Sequence, residues 1–374
     1  MSAPPPVPPA DAPRPSSAPR PGVAPHLRVA MSSKRMTWLA AASLVPALGL
    51  GVALYGVPAL MVTGASLLCA LAAELATTLP WRRFTLADGS AALTGLIIGL
   101  VLPAGAPLYV PAAASAFGIL VIKQSFGGLG RNWMNPAMGG VVFATLSWPG
   151  AASWSIAPLG WPAGAALTPL QALRAALSMP GSHEATPLAV LEKAGYSFSG
   201  LDSGVVGWIN THLLSPAGLA LRQGTLDVFI GHVPGAIGAS APLLALGAAY
   251  LLHRRVIRWQ LPVIYLGSFV VLSLVFGGLA SGQGWSAGGP GFHLLSGNLV
   301  LAAFYAAPDP VTSPLTGTGK WILGVVLGAL TFLLRYFGSL GDGAAAAIVL
   351  GNCLTPLLDL WTFRRPEAAS RGAA

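Results

Sequence analysis

Apolar residues in this chain come in long runs, parted by short clusters of Gly, Pro and charged residues. Ten of these runs approach the roughly 20 residues that a membrane-spanning helix needs. They fall at 37–55, 58–79, 90–105, 107–122, 136–150, 228–252, 259–277, 291–307, 321–337 and 343–361. The third and fourth are short and are separated by Pro103, Pro107 and Pro111, which predicts broken or half-length helices. Such backbone is tolerated at membrane depth only where protein or a cavity surrounds it. The pattern predicts an all-α polytopic membrane protein of about ten transmembrane helices.

One long polar stretch, 151–227, divides the runs into five and five. If the halves are duplicates, an odd number of spans in each orients them oppositely, the inverted repeat common among transporters. No clear residue-level repeat is legible. The expected division is a Pro-rich tail over 1–35, a first membrane half over 36–150, the loop 151–227, a second half over 228–363 and a short tail over 364–374. The first 25 residues are Pro/Ala-rich with no apolar face, the composition of a disordered, partly polyproline segment. No signal peptide is expected, because the first apolar run begins near Met36 and no small-residue cleavage site follows it.

Composition strengthens the membrane reading. The chain is 54% hydrophobic and 8% charged, against about 25% charged in a soluble domain. The net charge of +9 does not point to nucleic acid once its distribution is considered. With the N-terminus inside, only Arg174, Lys193, Arg222 and Arg335 of the 20 Lys and Arg fall outside. That skew is what the positive-inside rule demands, and it predicts cytoplasmic termini with 151–227 outside. Cys69 and Cys353 lie far apart in apolar runs, with no C-x-x-C spacing for a metal or cluster. They read as small buried packing residues.

Three stretches carry candidate chemistry. In the outer loop, Gly181-Ser182-His183-Glu184-Ala185-Thr186-Pro187-Leu188 places a hydroxyl before a helix-starting proline. Thr186 reads as an N-cap to a short helix over Pro187–Ala194 stopped by Gly195. It also reads as a covalent attachment point, where an ester would give a carrier permanent proximity. The second stretch, Lys123 to Met138, is glycine-rich and basic and ends in Asn135-Pro136-Ala137-Met138. It is either a tight membrane-surface turn or a loop whose N–H groups approach a phosphate. In the third, Asp309-Pro310-Val311-Thr312-Ser313-Pro314, Asp309 caps a turn or the hydroxyls shape a cofactor pocket.

Glu74 and Asp359 sit near span ends, where ionisable groups are functional candidates by default, although hydration at an interface weakens the inference. Asp88, Asn135, Asn298 and Asn352 flank or enter spans and serve as polar glue between helices.

Taken in order, these segments resemble the RnfD/NqrB family, membrane components of Rnf-type electron-transport complexes and of Na⁺-pumping quinone reductases. The chain's length favours the Rnf branch. The matching stretches are Asp88–Leu96, Lys123–Met138, Ala185-Thr186-Pro187-Leu188, His293-Leu294-Leu295-Ser296-Gly297 and Asp309–Pro314. Arg335-Tyr336-Phe337-Gly338 with Gly341-Asp342-Gly343 follows, then Asn352 with Pro356-Leu357-Leu358-Asp359.

The resemblance implies a flavoprotein of the bacterial inner membrane. FMN would be joined through its phosphate to Thr186, and a second, non-covalent flavin (riboflavin or FMN) would sit in the membrane part. Lys123, Asn135, Asp309, Thr312 and Ser313 are the candidate residues for that membrane flavin. Implied partners are the other membrane and iron–sulfur subunits of an Rnf complex and a flavin transferase. Electron flow would be coupled to Na⁺ or H⁺ movement, with the chain acting as one component of a translocase. The family usually has Asp six residues before the threonine and Ser or Thr three before it; here Pro180 and His183 stand there. A flavin-free transporter or scaffold with the same membrane fold is the rival reading.

Overall fold

In the computed structural model of the protein, the described residues are 32–80, 84–148, 150, 154–161, 167–177, 187–218, 220–280, 285, 288–338 and 342–363. The expected tail over 364–374, and all but residues 32–35 of the tail expected over 1–35, lie outside them. Among the described residues the chain is all helix and connection, with no β-sheet; Pro103 and Ala236 form one isolated bridge.

The first half comprises α1 (Ser33–Tyr55), α2 (Val57–Thr78), α3 (Ser90–Val101), α4 (Tyr109–Phe117) and α5 (Pro136–Ser147). Between the halves lie α6 (Pro169–Leu177), α7 (Pro187–Lys193), α8 (Gly200–Ile209) and α9 (Thr225–Ile230). The second half comprises α10 (Ala241–His253), α11 (Gln260–Ala280), α12 (Pro290–Leu295), α13 (Leu299–Leu301), α14 (Gly317–Tyr336) and α15 (Ala344–Thr362). α4 and α13 each widen into a π-helical turn, Gly118–Gln124 and Ala302–Ala306 respectively.

Five of these helices, α1, α2, α11, α14 and α15, are long and apolar enough to cross a bilayer. α3, α4 with its π-turn, α5 and α10 are shorter apolar helices. The predicted breaks at the third and fourth spans are present, and two more spans depart from expectation. The run at 228–252 becomes one continuous helix only from Ala241. Gly231 and Gly235 with Pro234 interrupt it, and its backbone serves α3 instead: Ile237 N donates to Leu102 O and Gly238 N to Leu100 O, at 3.2 and 2.8 Å. The run at 291–307 breaks at Ser296–Asn298, between α12 and α13. Apolar content thus located both runs, but carbonyl ends that needed partners decided where helix could continue.

Small residues let the helices approach. A methyl group placed on Gly95 would lie 2.8 Å from Leu67 Cα, and one on Gly99 would lie 2.8 Å from Thr63 Cα, so α3 rests directly on the α2 backbone. In the other half, Gly328 of α14 meets the α11 backbone at Phe269 N with the same 2.8 Å spacing. Close backbone contact of this kind drives helix association where no hydrophobic effect operates. The halves meet where α1 packs on α10 and α5 on α15. Leu68, Val271, Leu333 and Leu360 are more than half exposed, while Glu74, Lys123 and Arg335 are buried. Apolar groups outside and charge inside suit a lipid solvent. Cys353 is exposed and Cys69 only partly buried, so neither is the fully buried packing residue expected.

Contacts along α1 define two ends of the bundle. Trp38 at the start of α1 meets Ala87, beside Glu74 and Lys123. Tyr55 at the other end of α1 donates to Val233 O, beside the 233–239 segment. Arg335 lies at this second end, because Arg174 binds its carbonyl and lines one cavity with Val233 and Asp342.

Candidate functional site

At the Lys123 end, Asn135 is built into the start of α5. Its Oδ1 accepts from Ala137 N and Met138 N at 3.0 and 3.1 Å, with Pro136 at the first helical position, which is the usual chemistry of a helix start. Its Nδ2 donates to Ala306 O, the last residue of the π-turn in the other half, at 3.3 Å. In the amide orientation that satisfies both groups, Asn352 of α15 accepts from Asn135 N at 2.9 Å. Shortly after Ala306, Asp309 Oδ1 accepts from Val311 N at 3.1 Å, and Thr312 Oγ1 lies 3.4 Å from Asp309 Oδ2. Thr355 Oγ1 donates to Thr312 O at 2.8 Å, and Thr312 and Ser313 are buried. The structure therefore gathers Asn135, Asp309, Thr312 and Ser313 around one junction of α5, α13 and α15. Asp359 serves the same loop by accepting from Leu315 N at 2.9 Å.

Lys123 goes elsewhere. Its Nζ donates to Glu74 Oε1 and Oε2, both at 2.8 Å, and to Ser90 Oγ at 2.5 Å. These three bonds use all three ammonium donors. Ser90 Oγ in turn donates to Asp88 Oδ1 at 2.5 Å, and Thr85 donates to Glu74 at 2.5 Å. Glu74 and Lys123 are 0% and 2% exposed, so the interfacial hydration expected for Glu74 is absent. The π-turn widens the helix just where Lys123 must turn toward α2 and α3.

The Arg335 end also buries a cation, Arg335 being 2% exposed. Arg335 Nε donates to Asp342 O at 2.8 Å and Nη1 donates to His293 O. Nη2 lies 3.6 Å from Asp342 Oδ2 and has no hydrogen-bond partner. Asp342 Oδ2 accepts from Asn298 N at 2.6 Å, and Asn298 Nδ2 donates to Val101 O at the end of α3, at 3.3 Å. A cavity of about 590 Å³ opens beside these groups, lined by Arg174, Ser296, Asn298, Asp342, Leu102 and Val142 among others.

Further along the connecting region, Pro187 heads α7 as expected, and Gly195, with φ of 75°, follows its end. Thr186, Pro180 and His183 lie outside the described residues. Asp227 accepts from Ser199 N and Oγ at 2.7 and 2.6 Å and faces His232 Nδ1 at 3.2 Å. His232 Nε2 lies 3.0 Å from Leu159 O. The hydrogen bond to Asp227 raises the His232 pKa against the opposing effect of burial.

The Glu74–Lys123 pairing, Arg335, Ser296 and Arg174 received no site role from sequence. A lone basic residue inside an apolar run was the legible signal for Arg335. The pairings needed three dimensions.

Five helices long and apolar enough to cross a bilayer, shorter apolar helices packed among them, and charge buried at both ends define an all-α polytopic membrane protein. The NQR2, RnfD, RnfE family model matches residues 22–367, and the chain belongs to that family. It is 35% identical over 342 residues to the D component of the proton-translocating ferredoxin:NAD(+) oxidoreductase complex of Clostridium ljungdahlii, covering 90% of this chain and 92% of the relative. The corresponding component of the Na(+)-translocating ferredoxin:NAD(+) oxidoreductase complex of Acetobacterium woodii is 31% identical over 345 residues, covering 91% and 92%. That of the ion-translocating oxidoreductase complex of Halorhodospira halophila is 31% identical over 361 residues, covering 92% and 94%.

Proposed function

We propose that this chain is the RnfD component of an Rnf-type ion-translocating oxidoreductase complex, relaying electrons through FMN on Thr186 and a second flavin in its membrane part. The observation that carries the reading is the family match across residues 22–367, joined to the meeting of Asn135 with Asp309, Thr312 and Ser313 at one junction. The membrane flavin would be held there. Thr312 and Asp309 touch only at 3.4 Å, so the hydroxyl can turn to a ligand at small cost. Asn135 would position the site through its hold on Ala306. Lys123, with its donors committed to Glu74 and Ser90, would act through its field and not by contact. A bound flavin supplies one- and two-electron chemistry; the chain's own residues bind its polar edge and exclude water.

In this reading the Lys123 end faces the cytoplasm and 151–227 the outer side of the inner membrane. Other membrane and iron–sulfur subunits deliver and accept electrons, and a flavin transferase loads Thr186. Pro187 at the head of α7 is consistent with a phosphoester at a helix start, where N–H groups favour phosphate.

Expression with the native flavin transferase, followed by denaturing electrophoresis, tests the covalent flavin. A fluorescent band that disappears in Thr186→Val supports it. A dark wild-type band with the mass of the bare polypeptide refutes covalent attachment. Cysteine labelling in cells lacking Cys69 and Cys353 tests the orientation. Reaction of a cysteine at Arg255, but not at Ser199, with an impermeant reagent would invert it. The rival transporter reading is favoured by the half-length helices and the cavity, and it requires a colourless purified protein.

A further inference from the structure

α11 and α14 run side by side in the same direction. A methyl group on Gly324 of α14 would lie 2.8 Å from Ile264 Cγ2 of α11, and one on Gly328 would lie 2.8 Å from Phe269 N. Toward their far ends, a methyl on Gly277 of α11 would lie 3.0 Å from the Tyr336 hydroxyl. One helical turn before the first of these contacts, Gln260 and Lys320 stand at the same level. α14 closes with Arg335 at the second end of the bundle, so the two starts lie at the Lys123 end. Trp259 immediately precedes α11 and Trp321 follows Lys320, and both are exposed.

Positive charge gathers here without a partner. Lys320 sits in the first turn of α14 and Arg258 two residues before α11, each near a helix start, where the dipole disfavours a cation and favours an anion. Arg258 is close enough to Lys320 to repel its charge, and the carboxylate that attracts it, Asp359 of α15, is already bound to Leu315 N. Arg254 and Arg255 stand on the same α10–α11 turn as Arg258. Among the described residues, the side chains of these four cations make no hydrogen bond and no ion pair. Arg255 is also the only described residue other than glycine with positive φ, 54°. It stops α10 as glycine usually does, with Arg255 N donating to Leu252 O and Val256 N to Leu251 O. A side chain kept where glycine would be easier points to a use for it. At the level of Lys320, Gln260 Oε1 is buried without a partner, an acceptor that a ligand hydroxyl would satisfy.

The unpaired charge calls for an anion, and its surroundings call for an apolar body. Trp259 and Trp321 flank the charges, and Val263 and Val325, one turn further along α11 and α14, are 50% and 51% exposed. Tryptophan is enriched where acyl chains meet headgroups, and basic pockets between helix ends hold anionic headgroups. A free phosphate would leave the apolar residues uncovered. We propose that the starts of α11 and α14, with the α10–α11 turn, bind the headgroup of an anionic phospholipid, its phosphate between Arg258 and Lys320 and its chains along Val263 and Val325. The site does not depend on the flavoprotein reading.

The test counts lipid on the purified complex by native mass spectrometry, after exchange into detergent carrying phosphatidylcholine or phosphatidylglycerol. Phosphatidylglycerol should be retained in preference, and its affinity should fall about fivefold for each charge removed in Arg258→Gln with Lys320→Gln. Arg131→Gln removes an exposed cation at the same end but outside the site, and should leave retention unchanged. Unchanged affinity in the double variant overturns the site. An equal loss in Arg131→Gln also overturns it, by reducing the effect to bulk charge. Arg255→Gly covers failure of the double variant to accumulate, because glycine suits the backbone there. It should assemble fully and still bind phosphatidylglycerol about fivefold more weakly; undiminished binding then overturns the proposal. Inorganic phosphate is added in a separate arm. Displacement of the lipid would make this a site for the free anion and overturn the lipid assignment, whereas retention upholds it.

Discussion

Lys123 and Arg335 are each the penultimate residue of a helical segment, the π-turn that closes α4 and α14 respectively, yet their surroundings differ. Lys123 meets a full carboxylate at 2.8 Å through both oxygens and a hydroxyl at 2.5 Å. Arg335 meets its carboxylate only at 3.6 Å, spends its other donors on the carbonyls of Asp342 and His293, and lies 5.6 Å from the Phe269 ring centroid. A point charge with three donors suits one carboxylate, whereas a planar fork can bridge several backbone carbonyls. The Lys123 cluster is thus a closed clamp holding α2, α3 and α4 together. The Arg335 cluster ties α12, α14 and the start of α15 while leaving one nitrogen unbonded near a cavity. Two buried cations therefore need not do the same work. One end is locked, and the other is left receptive.

The strongest way to break this contrast is to remove one member of the closed clamp. Glu74→Gln strands a buried ammonium, and such a break costs about 3–5 kcal/mol. The variant should be nearly absent from membranes, while Glu74→Gln with Lys123→Met should recover much of the abundance. If the single variant accumulates and melts like the wild type, the clamp is not structural.

The open end should tolerate change better. Arg335→Lys keeps the charge but loses the fork, leaving a carbonyl of Asp342 or His293 unpaired at about 1–3 kcal/mol. A melting temperature lowered less than in Glu74→Gln is the expected outcome. The opposite order would mean that Arg335 is the tighter lock.

The smallest effect belongs to His232, which lies in the connection between α9 and α10. Both of its ring nitrogens face acceptors, Asp227 Oδ1 and Leu159 O, so the protonated ring satisfies both. Its pKa is raised in the folded state, chiefly by the Asp227 hydrogen bond. Its stabilisation is therefore complete below the ordinary value near 6.5 and lost as pH rises through the raised value. Melting the complex between about pH 6 and 9, a range that brackets that ordinary value, should reveal a slope that flattens in His232→Gln. An identical slope in the variant would remove His232 from the account.

Much of the architecture was legible from composition and run length. Lipid-soluble helices need about 20 apolar residues and few charges, so an all-helical membrane fold could be read directly. Asn135-Pro136 likewise announced the start of α5 by local chemistry alone. The limits of the sixth and eighth spans could not be read, because Gly231, Pro234 and the 296–298 break gain their meaning from α3 carbonyls that lie far away in sequence. The same holds for charge. The sequence shows that Lys123, Glu74 and Arg335 sit in or beside apolar runs, but a buried charge is decided by what neutralises it. Lys123 and Glu74 are 49 residues apart, and Asn135 and Ala306 are 171 apart. Local pattern determined which segments enter the bilayer. Only the packed structure decided which polar groups meet there, because in lipid every such group must find its partner within the protein.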